Sequence, residues 1–365
     1  MPQAERIRRI LGRPELFLVV QDLYLTETAL LADVVLPAAG WGEKQGAFTN
    51  ADRTVHLSDK AVEPPGDARS DLDIFLDYAR RMDFRRDDGA PLLDWTGPED
   101  GFRAWQECSR GKLCDYTGLS YERLRRGGVR WPCNDEHPDG TARLYVEGVF
   151  RTGMEVAETY GHDLLTGAST KPDAYRRLHV DGRAFLKAAD YTPPHEESCD
   201  AFPLRYTTGR TAYHFHTRTR TARARQLDRA APAAWVELSV ADAERLGIRE
   251  GDLARVTSPR GELVVPARVG DVREGTVFAP FHYGYWDSGS SGPGERPTAA
   301  NELTATEWDP VSKQPVFKVA AVKVEKVEDG TAPSPAPTTA ASRPAGAADV
   351  PATIGGREAE IEEGV

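Results

Sequence analysis

Near the start of the chain, Leu16 to Val20 is a continuous apolar run, the pattern of a strand buried on both faces. Gln21 and Asp22 follow at its carboxyl end. Thr26 to Ala32 suits a short helix, and Asp33 to Leu36 a second strand closed by Pro37, so the two strands form a βαβ unit near the minimum length for a crossover. A polar, glycine-punctuated loop runs from Trp41 to Gly46. Ala47 to Leu57 then reads as a hairpin turning at Asn50, Ala51 and Asp52. Ser70 opens a helix with Asp73 as its capping partner, and Leu72, Phe75, Leu76, Ala79 and Met82 make its apolar stripe.

The rhythm fades between residues 96 and 200, where Gly, Pro and charge are spread through the sequence; Trp105 and Trp131 mark an irregular excursion packed on the core. From Phe202 to Val327 short apolar strands dominate. Leu204 to Thr208 leads into Gly209 and Arg210, and Trp235 to Leu238 is a strand. Ser239 and Asp242 cap a short helix that stops at Gly247. Leu253 to Thr257 and Glu262 to Val269 flank a turn at Ser258 to Gly261, and Val277 to Phe281 is another strand. Such a set predicts a small closed barrel. Residues 328–365, rich in Ala, Pro, Thr, Ser and Gly, have no apolar face and read as a disordered tail. The predicted fold class is therefore α/β plus β-barrel: a partial doubly wound α/β domain over 1–95, the excursion over 96–200, a barrel over 201–327 and the tail.

Composition narrows the function. Hydrophobic residues make up 40% and charged residues 28%, an ordinary soluble balance for a chain of 365 residues. A net charge of −11 argues against nucleic acid or an anionic membrane as a bulk partner. No apolar run approaches the ~18 residues of a membrane span, and the N-terminus lacks the features of a secretory signal; the expected location is cytoplasmic. Cys108, Cys114, Cys133 and Cys199 are irregularly spaced and form no C-x-x-C pair, so they are expected to hold neither zinc nor an iron–sulfur cluster.

Two sets of segments carry a resemblance. The first runs through Val19 to Asp22, Thr26 to Ala29, Ala32 to Pro37, Trp41 to Lys44 and Gly46 to Asn50. The second runs through Thr208 to Arg210, Tyr213 to His216, Ala241 to Gly247, Gly251–Asp252, Pro280–Phe281, Asn301 to Thr304, Asp309 to Ser312 and Phe317–Lys318. In this order they resemble the third and fourth domains of the bis-molybdopterin guanine dinucleotide oxidoreductases, the dimethyl sulfoxide reductase superfamily, over roughly residues 5–90 and 200–327. The middle region and the aromatic run ending at Trp286 resemble assimilatory-type prokaryotic nitrate reductases. The resemblance implies a barrel of the double-psi type and the cofactor molybdenum-bis(molybdopterin guanine dinucleotide). It places a [4Fe–4S] cluster and the molybdenum ligand in an N-terminal half that nothing here matches. The partners it implies are that half or subunit and an electron donor protein. On this reading the chain starts inside the third domain, as a truncated gene, a split subunit or a misassigned start.

The resemblance also nominates residues. Asp22, with Gln21 beside it, stands where the family contacts guanine; a carboxylate at the carboxyl end of a parallel strand can accept guanine's two edge donors, although an Asp here also suits a helix cap or turn. Lys44 and Asp71 stand where the family meets the same nucleotide. Asp71, in the first turn of its helix, is also favoured by the helix dipole alone. Thr208, Gly209, Arg210, Tyr213, His214, Phe215, His216 and Thr217 would wrap pterin and pyrophosphate, with Gly209 admitting close backbone approach and hydroxyls, N–H groups and cations meeting phosphate oxygens. On an extended chain His214 and His216 would point the same way. A metal pair lacks further ligands, and hydrogen bonding to pterin or phosphate is the alternative. Arg218, Thr219 and Arg220 replace a Gly common in relatives and make the loop more cationic. Asn301 and Lys318 match late cofactor contacts. Phe281 matches a position lining the substrate approach, though plain barrel packing explains it as well. No side chain is nominated as catalytic or as a metal ligand.

The function expected is the cofactor-binding portion of a nitrate reductase-like enzyme, inactive alone. The alternatives are a formate dehydrogenase-like relative and a non-catalytic remnant or binding module.

Overall fold

The computed structural model describes residues 1–148, 191, 193–284, 299–309 and 314–327. The predicted tail and Trp286 lie outside the described residues.

Helix α1 (Ala4–Leu11) precedes strands β1 (Val19–Asp22) and β2 (Val34–Pro37), which pair in parallel with Val19 opposite Val34. The predicted crossover helix is a single 3-10 turn, Ala29–Leu31. Strands β3 (Gly46–Thr49) and β4 (Thr54–Ser58) form the predicted hairpin. Helix α2 (Asp71–Arg81) starts as its sequence dictates: Ser70 Oγ accepts from the Asp73 N–H at 3.1 Å and donates to the Asp73 carboxylate at 2.7 Å. Of its apolar stripe only Leu76 is buried.

The excursion is more regular than expected up to residue 148. Helix α3 (Pro98–Ser109), helix α4 (Tyr121–Arg126) and strand β5 (Val129–Arg130) are present, and β5 completes a three-stranded sheet on β4. They close over Val55 in a small core with Phe102, Tyr116, Leu119, Tyr121 and Leu124. The helices were hidden by punctuation: Gly97 and Pro98 open α3, where a proline's fixed φ is tolerated, and Gly101 interrupts its periodicity.

The barrel is the main core. Strand β6 (Leu204–Gly209) is followed by helix α5 (Arg225–Ala230), β7 (Val236–Ser239), helix α6 (Val240–Leu246), β8 (Leu253–Ser258), β9 (Gly261–Gly270), β10 (Thr276–Pro280) and β11 (Ala320–Lys326). Six strands close in the order β10-β6-β11-β8-β9-β7. Pairs β6–β10 and β7–β9 are parallel and the other four antiparallel. Alternation puts Leu204, Tyr206, Val236, Leu238, Val256, Val277 and Val322 inside, each at most 2% exposed. Helix α6 is capped as read: Ser239 Oγ accepts from the Asp242 N–H at 3.0 Å, and Gly247 ends it with φ at 65°, a left-handed position suited to glycine.

The N-terminal segment docks on one end of the barrel. Arg8 makes a two-pronged ion pair with buried Glu302, at 2.8 and 3.1 Å, and the Gln3 N–H donates to the Thr304 carbonyl at 3.1 Å. On the same end, the Tyr206 hydroxyl donates to the Ala300 carbonyl at 3.0 Å.

Candidate functional site

The nominated residues separate into three groups. Gln21 and Asp22, adjacent at the end of β1, do different things, as neighbours on a strand must. Gln21 faces α2: its amide lies 3.5 Å from the Asp71 carboxylate, whose other oxygen meets Lys44 Nζ at 2.5 Å. Lys44 and Asp71 therefore neutralise each other, and the three make one polar cluster.

Asp22 belongs to a second place, an open cleft of about 250 Å³ lined by Asp22, Leu23 and Tyr24 on one side and by Phe215, His216, Thr217, Thr219 and Arg220 on the other. Residues nearly two hundred positions apart in sequence meet across it. Tyr24 also stacks under the Arg223 guanidinium, 4.1 Å from the ring centroid, tying the α/β part to the barrel loop. One Asp22 oxygen accepts from the Leu23 N–H at 2.7 Å and the other lies 3.4 Å from the Thr26 hydroxyl. The turn role is thus present, and it leaves lone pairs on both oxygens for a donor in the cleft.

The third group sits where β6 ends. Gly209 is needed there: a Cβ would come within 2.5 Å of the Phe278 ring. Its carbonyl accepts from the Phe281 N–H at 3.2 Å. Arg210 and Lys318 flank the Phe281 ring, with their cationic centres 5.5 and 5.7 Å from its centroid. Lys318 Nζ donates to the Thr208 carbonyl, and the Thr208 hydroxyl donates to the Phe317 carbonyl at 3.1 Å. Burial, and then the nearby Arg210 charge, push Lys318 below the usual lysine range. Among the described residues no carboxylate pairs with either cation. Phe281 also packs on the barrel core, so its packing role is real.

The histidine segment departs from expectation. Residues 211–218 are a series of turns rather than an extended run, with His216 at φ 43° and Arg218 at φ 63°. His214 and His216 consequently point apart. His214 is buried, its Nδ1 3.0 Å from the Thr221 hydroxyl and its Nε2 2.7 Å from the Ala231 carbonyl, which leaves no ring nitrogen for pterin, phosphate or metal. His216 lies against Phe215 at 4.4 Å on the cleft wall, and Tyr213 is exposed. Arg218 adds no net charge to the loop: it is buried against Asp228 at 2.7 Å and lies 4.6 Å from the Tyr283 ring. Arg220 is the loop cation that reaches the cleft.

His282 was not nominated and organises this region. It is fully buried. Nε2 accepts from the Thr211 N–H at 2.8 Å, so Nδ1 carries the proton and donates to the His216 carbonyl at 2.6 Å. Burial, then the neighbouring His214, Arg210 and Arg218, hold it below the usual histidine range. Its contacts lie 71 and 66 residues away in sequence, beyond any local pattern.

The buried Thr211 Oγ1, beside this clasp, has no partner among the described residues, and neither has the buried Asn301 Oδ1. Orphaned buried groups are costly and mark places completed by a ligand or water. Together with the Gly209 approach and the Arg210–Lys318 pair, they suit a polyanionic ligand rich in hydrogen-bonding edges. The four cysteines are free thiols, and no group of three metal-ligating side chains occurs among the described residues.

Comparison with known proteins agrees with that chemistry. Residues 1–81 match the family model described as molybdopterin oxidoreductase, and residues 204–321 the one described as molydopterin dinucleotide binding domain. The F420-dependent formate dehydrogenase subunit alpha of Methanocaldococcus jannaschii is 35% identical over 312 residues, 85% of this chain and 39% of that protein. A nitrate reductase of Symbiobacterium thermophilum is 37% identical over 333 residues, 89% of this chain and 40% of its own length. The assimilatory nitrate reductase catalytic subunit of Bacillus subtilis is 31% identical over 327 residues, 88% of this chain and 40% of its own length. Among solved structures, acetylene hydratase from Pelobacter acetylenicus shares the fold with a TM-score of 0.61 at 18% identity, covering 89% of this chain and 42% of that one. The chain belongs to the molybdopterin oxidoreductases of the dimethyl sulfoxide reductase superfamily, and its barrel is the part that matches the molydopterin dinucleotide binding domain. It spans about two fifths of the length of the curated relatives it matches.

Proposed function

We propose that this chain is the molybdopterin guanine dinucleotide-holding portion of a nitrate reductase-like oxidoreductase that reduces nitrate to nitrite. The observation that carries the reading is the barrel mouth. Among the described residues Arg210 and Lys318 present two cations with no carboxylate partner, next to the unpartnered Thr211 hydroxyl and the close approach at Gly209, and Asn301 Oδ1 is also unpartnered. Asp22 would accept from the guanine edge across the cleft. Lys44, Asp71 and Gln21 would support the nucleotide from the other face of β1. Thr208, Arg210, Asn301 and Lys318 would hold pterin and phosphate, while His282 and His214 fix the loop and touch no ligand. Bound there, the cofactor supplies two-electron redox chemistry; the protein binds, orients and shields it.

On this reading the cofactor is the bis form, and its [4Fe–4S] partner lies on an N-terminal half or subunit that takes electrons from a donor protein. The isolated chain turns nothing over. On the same reading the role is cytoplasmic and assimilatory; separately, no helix among the described residues is long and apolar enough to cross a membrane. Nitrate is preferred on the 37% identical relative and on the middle region's resemblance. The 35% identity to formate dehydrogenase subunits favours formate oxidation as the second reading. The experiment is to isolate the assembled enzyme containing this chain, measure guanosine monophosphate released by acid, and assay nitrate and formate with viologen dyes. Stoichiometric guanosine monophosphate and nitrate turnover are expected. Formate oxidation without nitrate turnover would select the second reading, and a nucleotide-free complex would refute cofactor binding.

A further inference from the structure

The loop that forms the barrel side of the cleft is held under strain. Phe215, His216 and Thr217 line the cleft opposite Asp22. His216 has φ 43° and Arg218 φ 63°, left-handed positions that persist at residues other than glycine only where their surroundings hold them. Two buried histidines bond to this loop, and they differ in what a proton would do to them. His214 can accommodate one. Its Nε2 donates to the Ala231 carbonyl, so its Nδ1 accepts from the Thr221 hydroxyl; a charged ring would donate to that oxygen instead, because a hydroxyl can turn and receive. Burial and Arg218 oppose that charge, and Asp228 favours it. His282 cannot accommodate a proton. Its Nε2 accepts from the Thr211 backbone N–H at 2.8 Å while its Nδ1 donates to the His216 carbonyl at 2.6 Å. A proton on Nε2 would set N–H against N–H, and a backbone amide has no second role to adopt.

The charges around His282 deepen the difference. Arg210, His214 and Arg218, from the loop after β6, are all basic, and Lys318 lies over the neighbouring Phe281 ring. Tyr283, next in the chain, gives its hydroxyl to the Ala231 carbonyl. The acidic groups nearby are Asp228 of α5, which pairs with Arg218, and Glu27 of the β1–β2 connection, which packs against Gly284. Among the described residues no carboxylate pairs with His282 itself. We propose that His282 is a proton-sensitive positioning residue of the cleft: neutral, it holds His216 and its neighbours against Asp22; protonated, it lets go of Thr211 and frees the wall, so the cleft releases its nucleotide on mild acidification. This rests on the reading that the cleft takes the guanine end of the cofactor, and adds what keeps the cleft shaped for it. His282 touches no ligand; it acts through the backbone of His216.

The test compares the assembled enzyme containing this chain as wild type, His282→Gln and His214→Gln. Each is held at pH values from about 7.5 to about 5, either side of the ordinary histidine value of about 6.5. It is then desalted, and the guanosine monophosphate released by acid from the retained protein is measured. Wild type should retain about ten-fold less at the acid end. Gln keeps an acceptor and a donor and takes up no proton, so His282→Gln should hold its nucleotide at both ends, while His214→Gln should follow wild type. Groups that titrate elsewhere act alike in wild type and variant. Hydrogen exchange on the full chain alone, without cofactor, gives an independent reading. Corrected for the intrinsic pH dependence of exchange, protection of amides 211–217 should fall on acidification in wild type while the barrel strands keep theirs, and should stay in His282→Gln. Wild-type exchange decides even where the variant fails to fold. A His282→Gln enzyme that sheds nucleotide with the wild-type profile, or wild-type protection of 211–217 that ignores pH, would overturn the proposal and leave the proposed function standing. A flat profile in His214→Gln would move the switch to His214 and overturn it as well. Nucleotide absent from wild type at every pH would instead count against the functional reading, and exchange would then judge the response of the wall to the proton by itself.

Discussion

The barrel and the α/β segment both contain apolar strand residues, and these end up in opposite states. In the barrel, six strands close on themselves and bury Leu238, Val236 and Val277 completely. In the α/β segment, the apolar run Leu16–Val20 leads into β1, yet Val19 and the preceding Phe17 face water. The difference is closure. A sheet that returns to its first strand has neither an open edge nor an uncovered inner face, while a two-stranded parallel sheet has both. One part of the chain thus closes its core on itself, while the other leaves apolar side chains uncovered among the described residues.

The strongest way to break this contrast is a pair of truncations. Leu238→Ala should lower the stability of the full chain by about 2–5 kcal/mol, because it opens a cavity in a core that cannot collapse around it. Leu30→Ala should change it by less than about 0.5 kcal/mol, because the side chain is already in water. Thermal or urea melts of both variants read the difference; equal losses would mean that the α/β face is covered in solution.

What could be read from the sequence follows the same division. Local signals survived wherever structure was local: the Ser70 and Ser239 caps, the stop at Gly247, the hairpin between Ala47 and Leu57, the turn at Ser258 to Gly261. The apolar run Leu16–Val20 pointed to a strand buried on both faces, but the strand is Val19–Asp22 and Phe17 and Val19 are exposed, since an apolar run reports what wants burial and not whether burial is supplied. The cleft partners of Asp22 and the clasp of His282 depend on contacts across the whole chain and left no trace in spacing. The alternation of His214 and His216 misled because it presumed an extended backbone, which the positive φ at His216 and Arg218 rules out.

A second prediction asks whether the two regions build one site. Asp22→Asn keeps an acceptor for the Leu23 N–H, so the melting temperature should not move. It places an amide donor against the guanine donors, so retention of the guanine nucleotide in the assembled enzyme should weaken by about 1.5–3 kcal/mol. Nucleotide content per protein is the measurement, and a fully loaded variant would reduce Asp22 to a turn residue.

A milder effect is expected from pH. His282 and His214 are held below the ordinary histidine range in the folded protein, so each stays neutral where the unfolded chain would take up a proton. Their contribution to stability is complete above the unfolded value of about 6.5 and is lost as pH falls from there through the folded values. The melting temperature should therefore drop between neutral and mildly acidic pH. His282→Gln, which can still donate and accept, should flatten part of that drop; an unchanged slope would assign the acid sensitivity elsewhere. The smallest effect belongs to the exposed stripe of α2. Phe75→Ser should leave the melt of the chain unaltered within about 0.5 kcal/mol, and a larger loss would show that this stripe is buried after all.

The His282 clasp has a consequence for engineering. One imidazole fastens the Thr211 amide and the His216 carbonyl, so the loop after β6 and the turn after β10 are two halves of a single fastening. Grafting either one from a relative, to retune which ligand the barrel mouth accepts, would leave half a clasp. The pieces have to be transplanted as a matched pair, and a library that shuffles them independently should be enriched for parental combinations.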